Sequence, residues 1–353
     1  MKTKRNFGLD RFSGLYLGAF FIILFGIWTP AQFLTISTVQ IIASQQSVAA
    51  LVALALLIPL VVGEFDLSVG FMANLSGLLA TVLMLNDHLP VLLAIVISVA
   101  VGAIVGFVNG FIVVKLRVNS FIATLGMGSV LGALATIITD GQTPLPYTGS
   151  FWSNLTQTKI LGFQVVVVYL VVIALVVWWI LSQMPVGRRM YATGANPDAA
   201  RLSGVRTARI AWGSLVASAS IASLAGVLFT SLTGPSLTFG QTFLLPAFAA
   251  CFLGATQILP GRFNVGGTLI AIFVLAIGVT GLQLVTSVSW ITDMFDGVAL
   301  IVAVALSVTQ QRRKTTGTIS KRTRKDVGDG ERELDETPTP AEIEAGPAPG
   351  SFA

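Results

Sequence analysis

Long apolar runs cover most of the first 309 positions of this chain, and they limit what it can fold into. Of its 353 residues, 54% are hydrophobic and only 10% are charged, whereas a soluble domain carries about 25% charged residues. Sixteen of the charged residues lie between positions 310 and 353, so the preceding part of the chain has an even lower fraction of charged residues. So few charges cannot cover a body of this size with a water-soluble surface, and the composition predicts an integral membrane protein.

Ten apolar segments have the composition and approximate length of membrane-spanning helices, which need about 17–25 mostly apolar residues. They cover residues 13–28, 36–60, 69–85, 91–114, 120–138, 164–181, 211–232, 243–259, 265–284 and 292–308. The eighth is short and contains Pro246, so a partly re-entrant segment is an alternative to a full span here. No small-x-small cleavage site follows the first, so we interpret it as an uncleaved span. The expected fold is an all-α polytopic membrane protein with about ten transmembrane helices.

Basic residues fall almost entirely on alternate connections between these segments. One set carries Lys2, Lys4, Arg5, Arg11, Lys115, Arg117, Arg188, Arg189, Arg201, Arg206, Arg209, Arg262, Arg312, Arg313 and Lys314, and the opposite set carries only Lys159. Positive residues favour the cytoplasmic side, so both termini are expected on the cytoplasmic side of a bacterial plasma membrane. The net charge of +5 therefore indicates orientation in a lipid bilayer rather than binding to a nucleic acid.

Short internal echoes predict an inverted repeat. Residues 63–70 (GEFDLSVG) are echoed by 234–240 (GPSLTFG), and residues 108–110 (VNG) are echoed by 279–281 (VTG). A third pair matches 120–124 with 289–293. The partners fall on opposite sides of the membrane, as expected if spans two to five repeat as spans seven to ten. Short glycine-rich matches also arise by chance, so both explanations stay open.

The remaining organisation is simple. Residues 1–12 are expected to be a cytoplasmic N-terminus, 13–309 the transmembrane domain, and 310–353 a disordered cytoplasmic tail that is first basic and then acidic. The single cysteine, Cys251, lies in an apolar run, and the single histidine, His88, lies in a polar turn. Neither supports a metal site, and no phosphate-binding Gly-x-x-x-x-Gly-Lys stretch occurs. We therefore expect no cofactor, and any ATP hydrolysis would belong to another chain.

The longest polar cytoplasmic connection covers residues 183–210 and predicts a short capped helix at 196–204. Asn196 suits the N-cap, Pro197 the first helical position, and Asp198 the positive end of the helix dipole. Gly204 can adopt a left-handed stop. Such a helix between two spans suits a docking element, although an ordinary positive loop explains the composition as well.

The chain resembles the ribose-type ABC transporter permeases, the family of ribose, xylose and arabinose importers. The resemblance rests on residues 58–70, Gly106, Asn109 and Gly110, residues 119–126, and the loop itself. It implies that the loop packs into a groove of a cytosolic ATPase through Gly187, Arg188, Arg189, Tyr191, Ala192, Gly194, Asn196, Ala199, Ala200, Ser203 and Gly204. It further implies two permease subunits, identical or different, and an extracytoplasmic solute-binding protein. Residues 254–255 and 279–281 depart from the family pattern, which leaves the cargo open.

Polar side chains inside spans tend to face an aqueous path or another helix. The pathway candidates are Gln45, Gln46, Asn74, Asn109, Thr124 and Gln283. Because Gln45 and Gln46 point to different helix faces, at most one of them is expected to line the path. Bonding between helices explains any single candidate equally well. Glu64 and Asp66 are expected in a turn at the cytoplasmic membrane edge.

These observations predict a non-catalytic permease subunit of a bacterial ABC importer that passes a pentose-like monosaccharide or related polyol inward. The alternative is a self-sufficient secondary transporter or channel for a small polar solute. Such a protein commonly carries acidic or basic side chains inside the membrane for coupling, and the centres of the predicted spans contain none.

Overall fold

A computed structural model describes residues 9–286, 288 and 290–308. Its helices are α1 (Leu9–Trp28), α2 (Pro30–Phe33), α3 (Ile36–Val62), α4 (Ser68–Leu85), α5 (Val91–Gly110), α6 (Ser120–Ile138), α7 (Ser150–Gln157), α8 (Val166–Ser182), α9 (Pro185–Ala195), α10 (Pro197–Leu202), α11 (Thr207–Thr233), α12 (Phe239–Thr242), α13 (Leu244–Gly254), α14 (Val265–Val285) and α15 (Trp290–Val308). A π-helical turn, Phe111–Lys115, extends α5. The strands β1 (Lys159–Ile160) and β2 (Phe163–Gln164) pair antiparallel.

A helix occupies each of the ten segments predicted to span the membrane. Seven of the described helices are long and apolar enough to cross a bilayer alone, namely α3, α4, α5 with its π turn, α6, α11, α14 and α15. The apolar α8 joins α9 at a bend of 71°. The other two predicted segments are shorter helices, Gly14–Trp28 and Phe239–Gly254. The all-α polytopic membrane fold is therefore confirmed.

The eighth predicted segment forms a helix too short to cross a bilayer. Helix α13 has 11 residues, which corresponds to about 16 Å against a hydrocarbon core of about 30 Å. The chain then turns, and the Asn264 amide holds the turn by donating to the carbonyls of Gly254 and Gln257, each at 3.2 Å. The same asparagine caps α14 by accepting from the Gly267 amide.

Helix α3 lies at the centre of the bundle. Every residue from Ser47 to Val62 is buried, as expected for a helix that is apolar on all faces. Helices α5, α6 and α8 instead expose large apolar side chains such as Ile104, Ile122 and Val172. Those faces suit a hydrocarbon environment, where the helices satisfy their backbone groups internally.

Two pairs of helices have matching lengths in the two halves of the predicted repeat. Helices α3 and α11 each have 27 residues and each end at a glycine with positive φ, 92° at Gly63 and 97° at Gly234. Helices α6 and α15 each have 19 residues. Gly70 and Gly240, which end the first echoed motif, approach each other reciprocally, because a Cβ on either would meet the carbonyl of the other. The opposite membrane orientation of the two halves stays a prediction.

The polar connection between α6 and α8 contains structure that the sequence pattern did not indicate. Helix α7 buries Trp152 and Thr156. The Ser231 hydroxyl near the end of α11 donates to the Trp152 carbonyl at 2.6 Å and lies 2.9 Å from the Thr156 hydroxyl. These tertiary contacts, rather than local propensity, hold α7 in place. His88 lies exposed in the turn after α4, as predicted.

Two predicted segments lie mostly or wholly outside the described residues. They are the cytoplasmic N-terminus 1–12, of which most is outside, and the disordered tail 310–353, which is wholly outside.

Candidate functional site

The predicted capped helix is present as α10. The Asn196 side chain accepts a hydrogen bond from the Ala199 amide at 3.0 Å, and Pro197 occupies the first turn. Gly204 follows the helix with a φ of 81°. The amides of Gly204 and Val205 donate to the carbonyls of Arg201 and Ala200, each at 3.0 Å. Local sequence alone therefore specifies both ends of this helix.

The preceding helix α9 was not predicted, and its glycines serve the contacts of the chain with itself. A Cβ on Gly187 would meet the carbonyls of Ile180 and Leu181, and a Cβ on Gly194 would meet the carbonyl of Val61. Ala200 of α10 is also buried. Gly187 and Gly194 let α9 lie close against the ends of α8 and α3. The contact of these three residues with an ATPase stays a prediction.

Tyr191 ties α9 to the connection between α13 and α14. Its hydroxyl donates to the Phe263 carbonyl at 2.6 Å. The Arg262 guanidinium carbon lies 4.4 Å from the centroid of the Tyr191 ring, a cation–π contact. Burial raises the pKa of Tyr191, and the positive charge of Arg262 opposes this shift. The phenol therefore stays protonated and keeps its hydrogen-bond donor.

The other members of the predicted coupling set point outward. The exposed residues are Arg188, Arg189, Ala192, Asn196, Ala199, Ser203 and Gly204. Leu202 was not predicted, yet it is 90% exposed at the end of α10. Arg201, Arg206 and Arg209 are exposed as well. The surface offered by α10 is thus a protruding leucine beside small residues, with several arginines and the exposed Asp198 around it.

A polar cavity of about 200 Å³ lies between α3, α13, α14 and α15. Gln45, Gln46 and Gln283 all line it, and the expectation that at most one of the two adjacent glutamines lines the transport path stays a prediction. Neighbouring residues of a helix differ by about 100° in direction, and this cavity is wide enough along α3 to contact both. The Gln283 amide also donates to the Thr292 hydroxyl at 2.9 Å.

A second cavity of about 260 Å³ shares Gln45 with the first. Its polar lining includes Gln40, Lys159 and Gln164, so it extends from α3 to the β1–β2 hairpin. Gln45 therefore borders both cavities. The hairpin carries the one basic residue assigned to the non-cytoplasmic connections.

The structure does not bring Asn74, Asn109 and Thr124 into either cavity. The Asn74 amide donates to the Leu237 carbonyl at 2.6 Å, and the Asn109 amide donates to the Ser68 hydroxyl at 3.0 Å. The Thr124 hydroxyl accepts from the Leu67 amide at 3.0 Å. Asn74 and Thr124 thus pair non-helical backbone groups, which would be costly to leave unpaired, and Asn109 links α5 to the first residue of α4.

Two acidic residues lie deeper than the sequence pattern indicated. Asp66 is fully buried, and one of its carboxylate oxygens accepts from the amide and hydroxyl of Ser68 at 3.1 and 2.5 Å. It lies in the non-helical connection before α4, as predicted, but inside the bundle. Asp296 of α15 is 8% exposed and lines the first cavity. The two acids Asp293 and Asp296 at the start of an otherwise apolar run were the available signal.

A bundle of apolar helices with a polar internal cavity defines the class of a multi-pass membrane transport protein. The family model described as "branched-chain amino acid transport system / permease component" matches residues 38–304. The chain belongs to this family of ABC importer permeases. A permease component is a transport subunit rather than an enzyme, and it acts in general with an ATPase and a binding protein.

Curated relatives cover most of the chain. A ribose import permease of Bacillus subtilis is 32% identical over 296 residues, which covers 83% of this chain and 91% of the relative. The D-allose transport system permease of Escherichia coli is 29% identical over 308 residues, covering 86% and 94%. An autoinducer 2 import permease of Photorhabdus laumondii is 29% identical, covering 79% and 84%. No solved structure gives a significant match.

Proposed function

We propose that this permease passes a pentose-like monosaccharide or a related polyol inward. The observation that carries the proposal is the cavity lined by Gln45, Gln46 and Gln283, because neutral amides both donate to and accept from hydroxyl groups. The names of the relatives, which include ribose and allose permeases, support the same class of cargo. Gln45 borders both this cavity and the second one, which suits a path that starts at the β1–β2 hairpin.

Helix α10 is the proposed contact with the ATPase. Its small exposed residues and the protruding Leu202 suit insertion into a groove, and the surrounding arginines suit an acidic rim. The excess of basic residues on this side supports a cytoplasmic position. A cysteine introduced at Ala195 would then react with an impermeant reagent only after cells are permeabilised. Two permease subunits, identical or different, are proposed for each pair of ATPases.

Tyr191 is the proposed route by which movement of the ATPase reaches the cavity. It connects α9 to the α13–α14 turn, and both α13 and α14 contribute side chains to the cavity lining. Rotation of α9 would therefore move two walls of the cavity together.

The test of this function uses a charge placed on the exposed face of α10. Ala199→Arg should abolish co-purification of the ATPase and uptake of labelled monosaccharide in the native host, at a normal level of permease in the membrane. The matched control is Ala208→Arg, which adds the same charge at another exposed alanine of the connection. Wild-type ATPase association in the Ala199→Arg variant would remove the docking role of α10.

Asp296 favours a second candidate function. A carboxylate within a spanning helix is a common coupling group in secondary transporters. Asp296 lies near the start of α15 rather than at its centre, so the absence of acids from the span centres did not reveal it. Under this alternative the chain would carry its solute by means of an ion gradient without an ATPase.

A further inference from the structure

The carboxylate of Asp296 lacks a partner within the described part of the chain. Asp296 is 8% exposed and lines the cavity between α3 and α14. No described residue forms a hydrogen bond or an ion pair with it. Desolvating an acid without compensation is costly. Its carboxylate oxygens are therefore available to water or to a solute that enters the cavity.

The groups around Asp296 identify the chemistry of that ligand. Gln45 and Gln46 approach from α3, and Gln283 and Thr292 approach from α14 and α15. All four are neutral, and no lysine or arginine lines this cavity. An anion would meet the carboxylate without a compensating cation. A neutral ligand with several hydroxyl groups can instead donate to Asp296 and exchange hydrogen bonds with the amides.

Apolar side chains also line the cavity, and they narrow the chemistry of the ligand further. Phe243, Pro246 and Leu275 line it, and they suit the C–H face of a sugar ring better than a metal cation, which needs oxygen ligands on all sides. The volume of about 200 Å³ lies below the 300–1,000 Å³ typical of sites for drug-sized ligands. A monosaccharide fits this combination of size, hydroxyl edge and apolar face.

We propose that Asp296 binds the hydroxyl groups of the transported solute directly, in a subsite formed with Gln45, Gln46 and Gln283. The inference rests on the proposed transport of a monosaccharide and adds a specificity-determining carboxylate to it. Recognition of the solute is then shared between the binding protein and the permease.

Protection from alkylation tests binding without transport. In a Cys251→Ala background, the lining residue Thr280 is replaced by cysteine, and its reaction with a neutral maleimide is timed in membranes containing the complete transporter. D-ribose, D-xylose, L-arabinose and D-allose serve as probes. At least one should slow the reaction. Asp296→Asn should remove the protection, while Asp293→Asn, exposed on the same helix, should keep it. No protection by any probe, or protection by sodium chloride instead, would overturn the subsite.

Uptake separates failure of this subsite from failure of the proposed function. Asp296→Asn should reduce sugar uptake about tenfold or more, the loss expected when hydrogen bonds to a charged group disappear, with normal ATPase association. Asp296→Glu keeps the carboxylate and should retain more uptake than Asp296→Asn. It also provides a test of the carboxylate if the asparagine variant does not fold. Wild-type uptake by Asp296→Asn would overturn the subsite and leave the permease role intact. A wild-type protein that takes up no sugar would instead overturn the proposed cargo.

Discussion

Single glycines decide how closely the α9–α10 loop approaches the spanning helices. A Cβ at Gly194 would collide with the Val61 carbonyl, whereas a Cβ at Gly213 in α11 would meet nothing within 4 Å. Gly194→Ala should therefore lower the free energy of unfolding by about 1–3 kcal/mol, the usual cost of overpacking. Gly213→Ala should be neutral or stabilising by up to about 1 kcal/mol. Tryptophan fluorescence during thermal unfolding in detergent measures both. Equal shifts would show that α9 is not seated on α3.

Residues whose role is local could be predicted from sequence, and residues whose role is tertiary could not. Asn196, Pro197 and Gly204 specify the ends of α10 through their own backbone preferences. Gly194 is small because the distant carbonyl of Val61 lies against it. Asp296 is a cavity residue only because α15 packs beside α3 and α14. Nothing in the sequence near these residues records those neighbours.

At the scale of elements, the hydroxyl of Tyr191 is expected to link α9 to the α13–α14 turn. Tyr191→Phe removes the 2.6 Å hydrogen bond to Phe263 and keeps the ring under Arg262. Association with the ATPase should stay normal because the exposed face of α10 is unchanged, while solute uptake should fall severalfold. Tyr169→Phe in α8 is the matched control. Wild-type uptake in Tyr191→Phe would mean that another contact transmits the movement of the ATPase.

Helices, like single residues, could be predicted where local sequence specifies them and could not where tertiary contacts do. Long apolar runs predict spanning helices well, because the bilayer requires every backbone group to be paired within the helix. Helices α7 and α9 were not predicted because they lie in polar connections and are held by Ser231, Val61 and Phe263. The adjacent Gln45 and Gln46 show a further limit, since the period of a helix does not reveal how wide the cavity beside it is.

The whole molecule combines a polar cavity, a loop suited to an ATPase, and a tie between them. Helices α13 and α14 contribute to the cavity lining, and the turn between them accepts the Tyr191 hydrogen bond. This arrangement favours an account in which ATP hydrolysis on another chain moves walls of the cavity. The buried Asp296 keeps a gradient-driven alternative testable.

Uptake by proteoliposomes tests this central claim most directly. The permease is co-purified with its ATPase, reconstituted with ATP in the compartment that the ATPase faces, and supplied with binding protein and labelled monosaccharide outside. The account predicts uptake that requires both ATP and the binding protein and that a proton or sodium ionophore does not change. Uptake by the permease alone, driven by an imposed ion gradient and abolished by the ionophore, would contradict it.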